Sequence, residues 1–347
     1  MMVTTSPRCT WKALTLKLHN PFRVAYGVSA TRQAFWLRLA EDAGWGEGTI
    51  PPYYGVNTAD MLAFWETAAQ RADPFPDDPV KIAAWVGSEG PAPARCALDL
   101  ALHDRIGRQR GLPLHALLEL PRPAPKTTSF TIGMDSPDEM ARLAAAALHY
   151  PLLKLKLGSS DADEARVAAV RRARPDAELC VDANGGWSLA EALRLIPTLL
   201  PYEIIFVEQP VAKGDIAGMG EVQAHTAVPV IADESVQTLA DIERLAAVGV
   251  QGVNLKLMKV GGLGPGLQML RRARELGLRI MLGCMVETSL GVTAMAHLMG
   301  LAEWLDLDAP LLIANDPFAG VIFDDQSRLN LPDRPGIGAL LRQNHSA

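Results

Sequence analysis

The apolar positions in the first third of the chain follow short-strand and then helical spacing. Strand patterns at Thr10–Leu18 and Ala34–Leu39 precede helical patterns at Ala59–Arg71 and Ala92–Gln109. In the last of these, apolar residues recur every three or four positions, so one face of the predicted helix lies on a core. This order predicts an α+β domain, with a glycine-rich turn at Gly44–Gly48 between its strands and its helices.

From Thr127 onward, short apolar runs alternate with helical patterns. Eight such runs in units of about 25 residues are typical of a parallel (β/α) barrel. A doubly wound open sheet would give a similar alternation and is the alternative fold. The predicted strands are Thr128–Ile132, Leu152–Leu157, Leu179–Val181, Ile204–Val207, Val228–Ile231, Gly252–Leu255, Arg279–Leu282 and Trp304–Leu307.

A proline-rich stretch at Pro121–Pro125 separates the two patterns, and we place a domain boundary there. We predict an α+β domain at 1–122 and a barrel at 123–320. The remaining segment, 321–347, is rich in turns and too short for another domain. We expect it to pack back on the first domain.

Charge and apolar content exclude several classes of protein. The net charge is −6 without a Lys/Arg run, so the chain lacks the positive surface that nucleic acid requires. It has neither an apolar run of membrane-spanning length nor a signal-peptide pattern, so we expect a soluble, cytoplasmic protein with no membrane partner. The four cysteines form no C-x-x-C pair and are predicted to be buried free thiols. A small-molecule partner is favoured, and homo-oligomer formation stays open.

Charged residues end successive predicted barrel strands at regular intervals. Lys156, Asp182, Glu208, Asp233 and Lys256 are separated by 26, 26, 25 and 23 residues. Because the carboxyl ends of barrel strands share one mouth, we expect these side chains to meet there. Three carboxylates form a hard oxygen site that suits Mg²⁺ better than zinc. Helix capping by the acids is the alternative, but it does not explain their register with two lysines.

Lys154 lies two residues before Lys156, so both side chains point into the barrel. Burying an ammonium is costly, and two neighbours are expected to depress each other's pKa, which makes one of them a usable general base. Lys256 would approach the same centre from the opposite side. Such a pair can remove an α-proton from one face of a carbon and return one to the other, with a metal stabilising the enediolate between.

Five short motifs contain these charged residues, namely K-x-K at Lys154/Lys156, V-D-A-N-G-G-W at 181–187, V-E-Q-P at 207–210, A-D-E-S at 232–235 and N-L-K-L-M-K-x-G-G at 254–262. Together they resemble the muconate-lactonizing branch of the enolase superfamily. The resemblance implies a modified (β/α)8 TIM barrel with an α+β capping domain formed by the N-terminal part and the C-terminal segment. The implied roles are binding of one Mg²⁺ per subunit by Asp182, Glu208 and Asp233, acid/base catalysis by Lys156 and Lys256, and electrostatic assistance by Lys154.

Asp306-Leu307-Asp308 resembles the D-x-D motif of dipeptide epimerases, whose paired acids bind the α-ammonium of the substrate. A solvated acidic loop is the alternative. Thr131 and Glu287 also match that family, Thr131 as a substrate-binding residue and Glu287 without an assigned role. The resemblance implies Mg²⁺-dependent epimerisation at the C-terminal residue of a dipeptide, L-Ala-L-Xaa to L-Ala-D-Xaa, through an enediolate.

The loops at Pro21–Arg32 and Gly48–Tyr54 are predicted to select the second residue of the dipeptide. Epimerases acting on Ala-Glu resemble one another in a basic residue of the first loop, a position that falls on Gly27 here. Arg23 or Arg32 could take its place. An apolar or aromatic substrate side chain would instead suit Tyr26, Tyr53 and Tyr54.

Two other functions use a similar barrel. N-succinylamino-acid racemases and o-succinylbenzoate synthases resemble this chain in lysines and metal acids, but their substrates have no free α-ammonium for Asp306 and Asp308. A non-catalytic binding barrel is the remoter alternative, and it would have no need of buried ammonium groups.

Overall fold

The computed structural model describes residues 8–25, 27–51, 54–159 and 161–343. The chain begins with a three-stranded antiparallel sheet in the order β1-β2-β3, formed by Cys9–Val24, Gly27–Leu39 and Trp45–Thr49. The first two strands extend well beyond the predicted ones. Their outer halves are mostly exposed and pair through the backbone, so alternation of apolar residues does not reveal them.

Four helices complete the N-terminal part. The longest of them is mostly buried and forms the centre of this domain. The helices are α1 (Thr58–Gln70), α2 (Ile82–Val86), α3 (Ala92–Arg110) and α4 (Leu114–Leu117).

The prediction of a turn at Gly44–Gly48 is wrong, because these residues lead into and form β3. Their lack of a side chain lets the strand lie directly on α3. A Cβ at Gly46 would stand 1.9 Å from the carbonyl oxygen of Ala97, and one at Gly44 would stand 2.2 Å from that of Ala101. The glycines are therefore spaced for strand-to-helix contact, not for chain reversal.

Eight parallel strands form the barrel, and they lie side by side in the order in which they occur along the chain. The first and last are joined because Ser129 N–H donates to Leu305 O at 2.9 Å, and Leu307 N–H donates to Thr128 Oγ1 at 2.7 Å. The predicted barrel is confirmed, and the sequential order excludes a doubly wound sheet. After the short β4 (Lys126–Thr127), the barrel strands β5 to β12 are Phe130–Ile132, Leu152–Lys156, Glu178–Asp182, Ile204–Glu208, Val230–Ala232, Gly252–Leu255, Arg279–Gly283 and Trp304–Asp306.

Helices connect the barrel strands on the outside. Three of them begin at Ser188, Asp215 and Thr238, whose side chains accept a hydrogen bond from the first turn. Within the described ranges, none of the helices combines the length and the apolar character needed to cross a membrane. The helices α5 to α13 are Pro137–Ala146, Asp163–Ala173, Leu189–Leu199, Ile216–Ala224, Leu239–Ala247, Leu257–Val260, Leu263–Glu275, Ser289–Ala296 and Ala309–Leu312.

The C-terminal segment contacts both parts of the molecule. Ile337 N–H donates to Asp104 Oδ1 of α3 at 2.7 Å, and Leu329 pairs with Lys126 of β4. The division into domains at 1–122, 123–320 and 321–347 stays a prediction. After the short β13 (Phe318–Ala319), the strands of this segment are β14 (Ile322–Phe323), β15 (Arg328–Asn330) and β16 (Leu340–Leu341).

We expect Gly46→Ala to lower the free energy of unfolding by about 3 kcal/mol, because its Cβ overlaps the backbone of α3. The midpoint of urea unfolding measures this. Gly214→Ala is the matched control, since no atom lies within 4 Å of its added Cβ. Equal midpoints for the two variants would contradict close strand-to-helix packing.

Candidate active site

The charged residues predicted from the sequence meet at the carboxyl mouth of the barrel. Three successive strands end in register, because Lys156 pairs with Asp182 and Asp182 pairs with Glu208. Asp233 directly follows β9, and Lys256 directly follows β10. All five are buried. Parallel pairing thus converts their regular spacing along the chain into one cluster.

Three carboxylates form the centre of this cluster. One oxygen each of Asp182, Glu208 and Asp233 lies within 4.8 Å of the others. Asn254 Nδ2 donates to Glu208 Oε1 at 2.9 Å. The other oxygen, Oε2, lies 2.7 Å from the ammonium of Lys154. Three carboxylates this close together supply only oxygen ligands, which are the ligands that Mg²⁺ prefers. This set of acids therefore fits a divalent metal ion.

Lys154 is fully buried among acids. Its Nζ lies 2.7 Å from Asp306 Oδ2, 2.7 Å from Glu208 Oε2 and 3.1 Å from Asp182 Oδ2. Burial works to lower the pKa of Lys154, but these carboxylates outweigh it and raise the pKa well above its usual value. The expectation that the paired lysines depress each other's pKa is therefore wrong for Lys154, which stays charged.

Lys156 and Lys256 face one cavity from strands that lie four places apart in the barrel. Lys156 Nζ lies 2.6 Å from Asp182 Oδ2, and Lys256 Nζ lies 2.9 Å from Asp233 Oδ2. We call this the catalytic cavity, and its volume is about 280 Å³. A molecule bound in it would have one lysine on each side.

The carboxylates of the D-x-D motif also line the catalytic cavity. Asp306 and Asp308 are only 6% and 4% exposed, which excludes the solvated loop. Ser129 Oγ donates to Asp306 Oδ1 at 2.8 Å, and Thr131 N–H donates to Asp308 Oδ2 at 2.8 Å. Burial and the charge of Asp306 raise the pKa of Asp308 to about 6.

Sequence reasoning missed several polar residues around the acids. Lys259 Nζ lies 2.6 Å from Asp233 Oδ1. Asn184 Nδ2 donates to Asp182 Oδ2 at 3.2 Å and to Glu234 Oε1 at 3.0 Å. Burial, with the negative charge of Asp233, raises the pKa of Glu234 to about 7. All three lie inside the quoted motifs, next to or near the predicted residues. Their position in these motifs could have identified them from the sequence.

The predicted specificity residues are divided among different places. Arg32 and Thr131 line the catalytic cavity. Arg23 lies in a neighbouring cavity, and Tyr54 lines a third, with Lys213 Nζ 5.2 Å from its ring centroid. Of the four cysteines, all free, Cys284 is half-buried and lines the catalytic cavity, so the prediction of burial is wrong for it. Two further predicted residues lie outside the described ranges, namely Tyr26 and Tyr53.

Comparison with known proteins agrees with this geometry. The family described as enolase C-terminal domain-like matches residues 138–345. The chain belongs to the enolase superfamily. The resemblance drawn from its motifs is therefore confirmed.

Individual relatives extend this match to nearly the whole chain. An L-Ala-D/L-Glu epimerase of Bacteroides thetaiotaomicron is 34% identical, over 96% of this chain and 88% of that protein. A hydrophobic dipeptide epimerase of Roseobacter litoralis is 35% identical, over 94% of this chain and 96% of that protein. The crystal structure of a dipeptide epimerase from Enterococcus faecalis V583, complexed with Mg and the dipeptide L-Leu-L-Tyr, is 31% identical with a TM-score of 0.89, covering 96% of this chain and 98% of that one.

In this superfamily member a buried carboxylate joins the N-terminal domain to the barrel. Glu47 of β3 accepts from Thr288 N–H at 2.9 Å, Thr288 Oγ1 at 2.6 Å and Gly291 N–H at 3.0 Å, at the start of α12. Burial outweighs these hydrogen bonds and raises the pKa of Glu47 to about 7. Glu287 lies beside it, and burial and the charge of Glu47 raise the pKa of Glu287 well above its usual value.

We expect Glu47 to make stability depend on pH. The folded protein holds this proton up to about pH 7, whereas the unfolded chain releases it near pH 4.5. Between these values the folded state binds more protons, so the free energy of unfolding falls as pH rises, by about 1.4 kcal/mol per pH unit. It levels off above pH 7. Glu47→Gln should remove this part of the slope, measured by urea unfolding at pH 5, 6, 7 and 8.

Glu66→Gln, which alters an exposed carboxylate of α1, is the matched control and should keep the wild-type slope. If the free energy of unfolding of Glu47→Gln falls with pH as steeply as that of the wild type, the carboxyl of Glu47 is charged in the folded protein and the expectation is wrong.

Proposed function

We propose that this protein is a Mg²⁺-dependent dipeptide epimerase that moves a proton at the α-carbon of the C-terminal residue, L-Ala-L-Xaa to L-Ala-D-Xaa in its general form. The observation that carries the proposal is the placement of Lys156 and Lys256 on opposite sides of one cavity, beside a cluster of three acids. An acidic pair, Asp306 and Asp308, faces the same cavity. Relatives named as dipeptide epimerases over nearly the whole chain support it.

Asp182, Glu208 and Asp233 would hold one Mg²⁺ per subunit. The set of ligand atoms supports this assignment, because it consists of carboxylate oxygens alone. Bound there, Mg²⁺ would supply positive charge to the carboxylate of the substrate and so favour its enediolate form.

The two lysines would then act on opposite faces of the α-carbon, one removing a proton and the other adding a different one. One lysine, as a neutral amine, takes the α-proton, and the electron pair of the broken C–H bond moves into the carboxylate to give the enediolate. The opposite lysine, as an ammonium, returns a proton to the other face of the carbon. Lys154 stays charged among its three acids and stabilises negative charge beside the reacting carbon.

Asp306 and Asp308 would recognise the α-ammonium of the dipeptide. Both are buried with negative charge close together, and a bound cation would relieve their repulsion. An N-succinylamino acid has no ammonium there and would leave this charge without a substrate partner. For this reason we propose a dipeptide substrate and not that of a racemase or an o-succinylbenzoate synthase.

We expect Lys156→Ala and Lys256→Ala each to abolish epimerisation, since each removes the base for one face of the α-carbon, with a loss of at least about 10³-fold. Proton NMR in D₂O with Mg²⁺ and L-Ala-L-Xaa dipeptides measures both loss of the α-proton signal and growth of the L,D diastereomer. Chelation of Mg²⁺ should stop both changes in the spectrum, and addition of Mg²⁺ should restore them.

Lys81→Ala, an exposed lysine paired with Asp77, is the matched control and should keep wild-type activity. Full activity of either catalytic-lysine variant would overturn the two-base assignment. Exchange of an N-succinylamino acid by the wild type, without exchange of any dipeptide, would overturn the dipeptide proposal in favour of a racemase.

We expect Asp308→Asn to lower kcat/KM for the dipeptide by about 10- to 100-fold, because it removes the charge that faces the ammonium. Asparagine keeps the acceptor for Thr131 N–H, so the loop stays in place. The measurement is the ratio of kcat/KM for the dipeptide to that for its N-acetylated form. Asp333→Asn, an exposed acid, should leave this ratio unchanged. An unchanged ratio in Asp308→Asn would show that Asp308 does not bind the ammonium of the substrate.

A further inference from the structure

A second cavity, of about 260 Å³, lies under the stretch of chain from Leu18 to Arg23. This stretch is anchored at both ends. Leu18 forms a β-bridge with Ile313 after α13, and Arg23 O accepts from Met134 N–H at 3.0 Å. We call the space beneath it the arch cavity. The two anchors of this stretch keep the arch cavity open between the β1–β2 hairpin and the barrel.

The arch cavity adjoins the catalytic cavity. Thr131 and Leu312 line both of them. The backbone N–H of Thr131 also holds the carboxylate of Asp308. A substrate ammonium bound at Asp308 would therefore place its own α-carbon close to Thr131, at the boundary between the two cavities.

The lining of the arch cavity is mainly apolar and partly aromatic. Phe130 and Tyr150 stack with their ring centroids 4.1 Å apart and their planes 11° apart. Leu143 and Leu311 add aliphatic surface, and Arg23 is exposed at the edge. Burial and the charge of Asp308 raise the pKa of Tyr150, so its hydroxyl lies within the field of that carboxylate. These walls suit a large apolar or aromatic group more than a charged one.

We propose that the arch cavity binds the side chain of the N-terminal residue of the dipeptide, and that the preferred substrates carry a large apolar or aromatic residue there instead of alanine. The inference rests on the proposed epimerase function and names its substrate class. At about 260 Å³ the cavity is smaller than those that hold a drug-sized molecule and has room for a single side chain. The catalytic cavity is left to the peptide unit and the C-terminal side chain.

The test compares kcat/KM for L-Phe-L-Xaa and L-Ala-L-Xaa with the same C-terminal residue, by the NMR assay. The wild type should favour the phenylalanyl dipeptide by at least about tenfold, since its ring becomes buried. Ala146→Trp fills the arch cavity from the end of α5, so it should lower this ratio at least tenfold. Ala145→Trp is the matched control, exposed on the same helix but outside the lining, and should keep the wild-type ratio.

Leu143→Trp, one turn earlier on α5, should also lower the ratio and provides the test if Ala146→Trp does not fold. Equal use of both dipeptides by the wild type, or equal ratios in the Ala146→Trp and Ala145→Trp variants, would overturn the inference while leaving the epimerase standing. Exchange of neither dipeptide, nor of any other dipeptide, would overturn the proposed function and this inference together.

Discussion

The barrel mouth depends on mutual neutralisation of buried charges. Lys154 lies within 3.1 Å of oxygens from three carboxylates, and Lys256 and Lys259 both contact Asp233. A charge removed from water at this depth is tolerated only when a partner of opposite sign is close, so each of these residues requires the others. The centre of the cluster nevertheless holds three carboxylates whose oxygens lie within 4.8 Å of one another. That concentration of oxygen ligands is what makes the site suited to a metal ion.

The pairing of the barrel strands determines which of these charged residues lie close together. Parallel pairing aligns Lys156, Asp182 and Glu208 at the ends of three adjacent strands, and the hydrogen bonds at Ser129 and Thr128 close the barrel so that Lys256 faces them from across the mouth. The proposed chemistry needs this opposition, because proton transfer between two faces of one carbon requires bases on both sides.

The N-terminal domain completes the site from above. Its hairpin lines the catalytic cavity and arches over a neighbouring one, while Glu47 fixes β3 to the start of α12. Specificity is therefore proposed to lie where the two parts of the chain meet, and chemistry where the barrel strands end. Within that domain, glycine brings the backbone of β3 against the backbone of α3 and so fixes the strand that carries Glu47.

The sequence alone predicted the barrel, the five charged strand ends and the acidic pair, because strand ends in a parallel barrel recur at a regular interval and share one edge. It did not predict the strand at Trp45–Thr49, since glycines that serve close packing look the same as glycines of a turn. Nor could it predict that Lys154 keeps its charge, or that Glu47 binds Thr288 across 241 positions of sequence. Those properties depend on which groups surround a buried side chain, and only the tertiary structure determines the surroundings.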